Sequence, residues 1–311
     1  PDFPDASRMW DIIQKYKVTI FYTTPTALRM FMKLGDNLPN SFNLSSLRLL
    51  GSVGEPINPK VWQWYFKIIG KEKCPIIDTW WQTETGGMLI SALPGLETIP
   101  LKPGSGTLPI PGLNMSVVDE TGNDVSPNTK GYLIIKNPWP GMLLTLWNDD
   151  KKYREVYWSK YKNYYYPGDY AMKDTDGYLW LLGRADDVLK VAGHRIGTAE
   201  LESCIVSHPD VAESAVCGVP DEIKGDAIIA FVVLKQNVIT TIPILEKELL
   251  IKIRSDIGAI ATPKQIYFVT KLPKTRSGKI MRRLLKAIAN NEIIGDVSTL
   301  EDGAAVTEIQ S

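Results

Sequence analysis

The chain has 311 residues, 44% of them apolar, with 35 Lys plus Arg against 35 Asp plus Glu. That length suits two domains with sizeable cores. Zero formal net charge gives no support for a nucleic-acid or anionic-membrane partner, and no apolar run is long enough to span a bilayer. Cys74, Cys204 and Cys217 are odd in number and lack metal-ligand spacing, as expected of reduced structural thiols in a cytoplasmic protein. The opening Pro-Asp-Phe-Pro-Asp has neither a basic start nor an apolar signal core. It also lacks an initiator Met, so the expectation is a fragment or processed piece of a longer protein.

Apolar positions over residues 6–17 recur at helical spacing, with Ser7 as N-cap. Val18–Tyr22 reads as a buried strand, and Pro25 opens a helix through Leu34 that ends at Gly35. Leu47–Leu50 is a strand, Pro59–Ile69 a helix closed by Gly70, and Ile76–Thr79 a further strand. This alternation argues for α/β layers and a sheet with parallel pairs. Residues 94–184 change character: Gly, Pro and short alternating runs such as Met115–Val118 and Tyr132–Ile135 read as antiparallel strands and turns. A third pattern follows Asp187. Thr198–Ser207 reads as a helix capped by Thr198, with Glu200 and Glu202 in its first turns. Ala215–Val219 and Ile228–Leu234 read as strands, Ile244–Ile257 as a helix, Gln265–Val269 as a strand and Ile280–Asn290 as a basic helix. The domain boundary is placed at Asp186, and there are no repeats.

Polar chemistry concentrates between Gly168 and Glu200. A Gly168-Asp169 turn, Arg184, Arg195, the Asp186-Asp187 pair and a Gly193-His194-Arg195 turn lie within about thirty residues of one another. A short carboxylate suits sugar hydroxyls and arginines suit phosphate oxygens, so the segment describes a nucleotide site beside a hinge. A solvated turn Asp and two interdomain salt bridges would explain the same residues. Gly51-Ser-Val-Gly-Glu-Pro56 follows a strand and precedes a helix. Its glycines let backbone approach a ligand, although an ordinary turn has the same look. In Asp78-Thr-Trp-Trp-Gln-Thr-Glu-Thr-Gly-Gly87, adjacent tryptophans face opposite ways along a strand. One can close a pocket while the other packs inside, or both can be core. Leu272-Pro-Lys-Thr-Arg-Ser-Gly-Lys279 is a basic loop before a helix and not a Walker A loop, since no Gly sits five residues before Gly278.

These motifs, in this order, resemble those of acyl-adenylate-forming enzymes. The run LLGRADDVLKVAGHRIGTAE most resembles the AMP-forming acetyl-CoA synthetases. The resemblance implies a multidomain α/β protein. Residues 1–185 would be the C-terminal part of a large AMP-binding domain, with α/β layers plus a distorted β-barrel-like region. Residues 186–295 would be a small, mobile α+β domain hinged at Asp186, and residues 296–311 a tail beyond the motifs that carry the resemblance.

The implied site residues follow position by position. Gly54, Glu55 and Pro56 would lie against adenine, with Asp78, Thr79, Trp80 and Gln82 in the rest of the ATP wall. Thr83 and Glu84 would sit near the phosphates and the catalytic Mg²⁺. Asp169 would bind the ribose hydroxyls, Arg184 the ribose and phosphate side, and Arg195 a phosphate. Val53 and Trp81 would line the acyl pocket, leaving room for two or three carbons. One methylene there is worth about 1–3 kcal/mol, so acetate and propionate would be separated incompletely. Ala192 and Gly193 would line the pantetheine tunnel. Arg254 would touch a coenzyme A phosphate, although an exposed helix charge explains it equally. Val206, His208 and Val211 would hold Mg²⁺ through backbone oxygens, or else mark only a helix end stopped by Pro209. His194 is kept structural.

Lys279 would bridge carboxylate and α-phosphate oxygens during adenylation, and its acetylation by a lysine acetyltransferase, reversed by a deacetylase, would silence that step. The activity implied is acetate–CoA ligation with acetate, ATP and coenzyme A as substrates and Mg²⁺ as metal. Alternatives are a propionate or other short-chain ligase, an aryl-type adenylating enzyme disfavoured by Trp80-Trp81, and an inactive nucleotide-binding fragment. The family's phosphate loop of the type YTSGSTGxPKG is absent from these 311 residues and is expected to precede residue 1. Leu144 and Pro167 stand where close relatives often carry Arg and Ser or Thr.

Overall fold

Strand and helix alternate through the first eighty residues because each parallel pair needs a crossover that also buries the sheet face. The computed structural model describes residues 4–235, 238–276, 278–290 and 292–310. The chain divides into two units, one of residues up to Leu28 with Leu34–Asp186, the other of Arg29–Lys33 with Asp187–Ser311.

In the first unit, α1 (Arg8–Tyr16) buries Trp10 and Ile13 and ends at Lys17 in a left-handed conformation. Ser7 does not cap it: its amide and hydroxyl both donate to Asp5. The strands β1 (Ile20–Thr23), β2 (Leu49–Val53) and β3 (Ile76–Thr79) form a parallel sheet in the order β1-β2-β3. The expectation of a buried strand at Val18–Tyr22 is corrected. With β1 at the edge, Ile20 and Tyr22 stay 44% exposed. Between the strands run α2 (Pro25–Leu34), α3 (Asn37–Asn40) and α4 (Pro59–Trp64). The Thr24 hydroxyl accepts from the Ala27 amide at the start of α2, and the Asn58 side chain accepts from the Lys60 amide at the start of α4. α4 continues as a π-helical turn, Tyr65–Ile69, and the chain then leaves the helix at Gly70.

A second sheet takes β4 (Met115–Val118), β5 (Lys130–Ile135), β6 (Asp169–Lys173) and β7 (Leu179–Arg184) in antiparallel order. It buries Met115, Leu133, Ile135, Tyr165 and Leu179 together with Leu89 and Ile90. The barrel-like expectation is corrected, because among the described residues this sheet is open. The chain beside β7 meets it through a single bridge, Thr107 with Leu179, and then bridges Ile90 through Pro109. Prolines without an N–H cannot extend such bridges into a ladder. Helix α5 (Asp150–Tyr157) buries no residue and starts with the Asp149 carboxylate accepting from the Lys152 amide at 3.0 Å. Its Tyr153, Val156 and Tyr157 fall at helical spacing, a short stripe inside a segment whose Gly, Pro and alternating runs point to strands and turns.

The second unit has its own sheet, ordered β10-β11-β8-β9, with β12 (Gln265–Phe268) parallel to β11. β8 (Leu189–Val191) and β9 (His194–Ile196) form a short hairpin. β10 (Val211–Asp221) and β11 (Gly225–Leu234) pair along their full length, further than the apolar runs predict. Alternation along these strands feeds two cores. Val216, Ile228 and Val232 meet α6 (Thr198–Val206) and α7 (Ile242–Asp256) through Leu201, Ile205, Leu245 and Leu249. Ala215, Cys217 and Phe231 pack with Leu285 of α8 (Arg282–Ala289). The following residues turn back, Leu300 bridges Thr275, and α9 (Ala304–Gln310) buries Ala305 and Val306. No described helix is long and apolar enough to cross a membrane.

Candidate active site

The C-terminal ends of parallel strands are where α/β sheets expose ligand-binding loops, and β2 and β3 both end in the polar motifs. After Val53 the chain turns through Gly54, at a φ of +94° that favours glycine. The Glu55 carboxylate then accepts from the Thr26 hydroxyl. Pro56 leads to the buried Ile57 and the Asn58 cap. Asp78 sits opposite Ser52 in the ladder and is buried. Burial pushes its carboxyl up to about 8, and Glu55 adds to the rise. The Thr79 hydroxyl lies 2.9 Å from the Ser52 carbonyl and 2.7 Å from the Tyr22 hydroxyl.

Beyond β3 the two tryptophans part. Trp80 packs against the second-sheet core, while Trp81 is 44% exposed. The Trp80 indole N–H donates to Asp169 Oδ2 at 3.1 Å, and the Gln82 amide donates to the same oxygen at 3.4 Å. Tyr165 fixes that amide by donating its hydroxyl to Gln82 Oε1 at 3.3 Å. Asp169 opens β6 directly across from Arg184, which ends β7, and Arg184 Nη1 is 3.7 Å from Asp169 Oδ1. Burial pushes the Asp169 carboxyl up to about 6, against the pull of the Arg184 charge and the Trp80 hydrogen bond.

The Pro167 carbonyl accepts from both Gln82 and Arg184, each at 2.8 Å. Both contacts are to the backbone, which explains why proline is tolerated there. Nothing in the structure explains Leu144, which is exposed.

These groups border a cleft of about 300 Å³ lined by Gln82, Glu84, Tyr157, Tyr166, Gly168 and Arg184 among others. Glu84 Oε1 accepts from the Tyr157 hydroxyl at 2.6 Å. Burial and that carboxylate raise the Tyr157 phenol to about 12. Thr83 and Glu84 share one 3₁₀ turn, and a hydroxyl beside a carboxylate is a donor set that fits Mg²⁺. Asp186 accepts from Arg184 Nε at 3.4 Å and lies in the 3₁₀ turn Ala185–Asp187. Sequence reasoning missed Tyr157, Tyr165 and Tyr166. The tyrosine-rich run before Gly168 was their one signal, and it does not say which rings face a cleft.

In the second unit, Ala192 (φ 46°) and Gly193 (φ 82°) are the central pair of the β8–β9 hairpin, the geometry of a type I′ turn. His194 Nδ1 meets the Ala192 carbonyl at 3.2 Å, and Arg195 pairs in register with Lys190. Lys279 is exposed on a tight hairpin. Its carbonyl accepts from the Thr275 amide at 2.8 Å, and its amide donates to the Thr275 hydroxyl at 3.1 Å. Ser277 of the same motif lies outside the described residues. Arg254 is exposed at the last turn of α7, with Nε 3.3 Å from the Thr262 hydroxyl. At the end of α6, Val206 is buried and Val211 donates to the His208 carbonyl at 3.2 Å. The His208 ring meets Glu248 and the Asp210 amide, each at 3.2 Å. Among the described residues no group of three or more His, Cys, Asp or Glu side chains is placed to hold a metal ion.

Polar groups at the ends of two parallel strands, beside a cleft with a buried carboxylate, are a frame for a nucleotide ligand. The chain belongs to the AMP-binding enzyme family: residues 1–147 match the AMP-binding enzyme and residues 200–279 the AMP-binding enzyme C-terminal domain. It is 59% identical over 308 residues to the acetyl-coenzyme A synthetase of Pyrobaculum aerophilum, covering 99% of this chain and 46% of that protein. Against the acetyl-coenzyme A synthetase of Streptomyces avermitilis it is 53% identical over 311 residues, covering 100% and 47%. The chain thus spans about half the length of the curated relatives it matches. Among solved structures, it resembles the anthranilate CoA ligase AuaEII in complex with anthranoyl-AMP, with TM-score 0.80 and 33% identity over 92% of this chain and 52% of that one.

Proposed function

We propose that the protein acts as an AMP-forming acetate–CoA ligase. An acetate oxygen attacks the α-phosphorus of ATP and diphosphate leaves, giving acetyl-AMP. The coenzyme A sulfur then attacks the acetyl carbon and AMP leaves. The observation that carries this is the buried Asp169 carboxylate, held by Trp80, Gln82 and Arg184 next to the cleft residues Gly168, Gln82 and Arg184, in a chain 59% identical to an acetyl-coenzyme A synthetase.

An ionised Asp169 can accept from both ribose hydroxyls, while Arg184 supports it and faces the phosphate side. Gly54, Glu55, Pro56, Asp78, Thr79, Trp80 and Gln82 are assigned to the adenine and ATP wall, and Val53 and Trp81 to the acetyl group. Thr83 and Glu84 would hold Mg²⁺, which supplies charge neutralisation for the phosphates when bound. Lys279 is assigned the positive charge that meets the oxyanions of the adenylation transition state, and Arg195 a phosphate. Ala192, Gly193 and Arg254 are assigned to coenzyme A, with Asp186 as the pivot between half-reactions. Backbone oxygens of Val206, His208 and Val211 are assigned a second Mg²⁺. Acetylation of Lys279 by a lysine acetyltransferase would switch off adenylation, and three free, buried cysteines support a cytoplasmic setting.

Acetate-dependent ATP–diphosphate exchange in the full-length protein tests the assignment. Lys279→Ala should lower it by about 10²–10³-fold. Undiminished exchange in Lys279→Ala would remove the lysine from the mechanism. Propionate supporting exchange as well as acetate would move the substrate to a short-chain acyl class.

A further inference from the structure

The hairpin that presents Lys279 is one edge of a small three-stranded arrangement. Its own two legs are joined by the Lys274–Ile280 bridge, by the Thr275–Lys279 backbone bond at 2.8 Å and by the Gly278 amide on the Thr275 carbonyl at 2.7 Å. On the opposite edge of the same leg lies a segment some twenty residues further along. Thr275 bridges Leu300, the Arg276 amide donates to the Thr299 carbonyl at 3.0 Å, and the Glu301 amide donates to the Lys274 carbonyl at 2.9 Å. Side chains tie this segment down at both ends. Arg283 donates to the Asp296 carbonyl, and Glu308 on α9 accepts from the Thr270 amide and hydroxyl. Beneath the loop, Lys274 pairs with Glu213 of β10 at 2.6 Å, and Arg282 makes a bidentate pair with Glu202 of α6 at 2.8 and 2.6 Å.

A two-stranded hairpin alone is marginally stable in water, and a third strand is what gives such a unit independent order. We propose that residues 299–301 are that third strand, a strap that holds the Lys279 hairpin in one shape and so makes the C-terminal segment a positioning element of the adenylation step. The catalytic half of this inference rests on the role proposed above for Lys279, and the structural half does not. The strap acts through backbone groups. The Glu301 N–H matters and the Glu301 side chain, which is exposed, does not.

The test compares Glu301→Pro, which deletes that N–H, with Glu301→Ala, which keeps it. Amide hydrogen exchange is read at Thr275 and Lys279, whose bonds lie within the hairpin itself. Losing the strap should speed exchange at both amides by about 10–100-fold in Glu301→Pro, with Glu301→Ala and the β11 amides unchanged. In the full-length protein, Glu301→Pro should lower kcat for acetate-dependent ATP–diphosphate exchange with KM for ATP and acetate unmoved. Thioester formation from supplied acetyl-AMP should keep its rate, which a general loss of stability would not allow. Wild-type exchange at Thr275 and Lys279 in Glu301→Pro overturns the strap. Equal losses in the two half-reactions overturn its positioning role. Full adenylation by Lys279→Ala overturns the catalytic half together with the proposed role of the lysine, whatever the amides show.

Discussion

Asp169 carries a cost that its surroundings only partly offset. Burial raises its carboxyl from 3.8 to about 6 although Arg184 and Trp80 pull the other way. The folded protein therefore holds that proton more tightly than the unfolded chain. Stability is lost as pH rises from 3.8 through 6, and the full cost is present above that range. Asp169→Asn, which cannot ionise, should be more stable than the parent by up to about 3 kcal/mol at pH 8, with the gap closing near pH 4. Urea denaturation at pH 4, 6 and 8 checks this, and a gap independent of pH would refute it. The same variant should raise KM for ATP, and in the parent kcat/KM for ATP should fall as pH drops below about 6. At this scale much was legible. The Gly168-Asp169 turn and Arg184 stand out in the sequence as a pair of ligand groups, and the β6–β7 register brings them face to face. What was not legible is the ring of tyrosines. Three rings of one run are placed by α5 and by the loop after it, and a stripe of three residues is too short to say which rings turn toward a cleft.

At the scale of elements, two glycines in left-handed conformation answer differently to a methyl group. Gly193, at φ +82°, has open space around a new Cβ, so Gly193→Ala should cost only the conformational penalty of about 1 kcal/mol. Gly86 ends the turn that holds Thr83 and Glu84, and a Cβ there would stand 2.1 Å from the Gly141 carbonyl oxygen. Gly86→Ala should cost about 3 kcal/mol or more and should displace Glu84 from Tyr157. Thermal denaturation of the two variants side by side measures the contrast, and equal costs would show that the Gly141 contact is soft. Elements marked by apolar runs between turn or capping residues, β2, β3, β11 and α7, were readable in the sequence. β1 was misread because a strand's burial depends on what covers its faces, which its own residues do not state; β3, at the other edge of the same sheet, is buried. The β8–β9 hairpin was too short for its alternation to count.

At the scale of the molecule, the second unit carries a core on each face of its sheet, one around Leu201, Val216 and Leu249 and one around Cys217, Phe231 and Leu285. Residues 187–311 expressed alone should therefore unfold in one cooperative transition, with the β10 and β11 amides protected. A gradual, non-cooperative melt would show that the cores need the rest of the chain. Composition foretold the change from alternating α/β to strand-and-turn and back, since it tracks Gly and Pro. It could not foretell that the second sheet stays open among the described residues, because closure depends on long-range strand pairing that composition does not record.

The return of residues 299–301 to the Lys279 hairpin has a consequence in time. A ribosome adds about 5–20 residues each second, so the strap is made roughly one to four seconds after the lysine it flanks. Until residues 299–301 exist, the hairpin has no third strand to lie against. Synthesis thus delivers the lysine first and its aim afterwards.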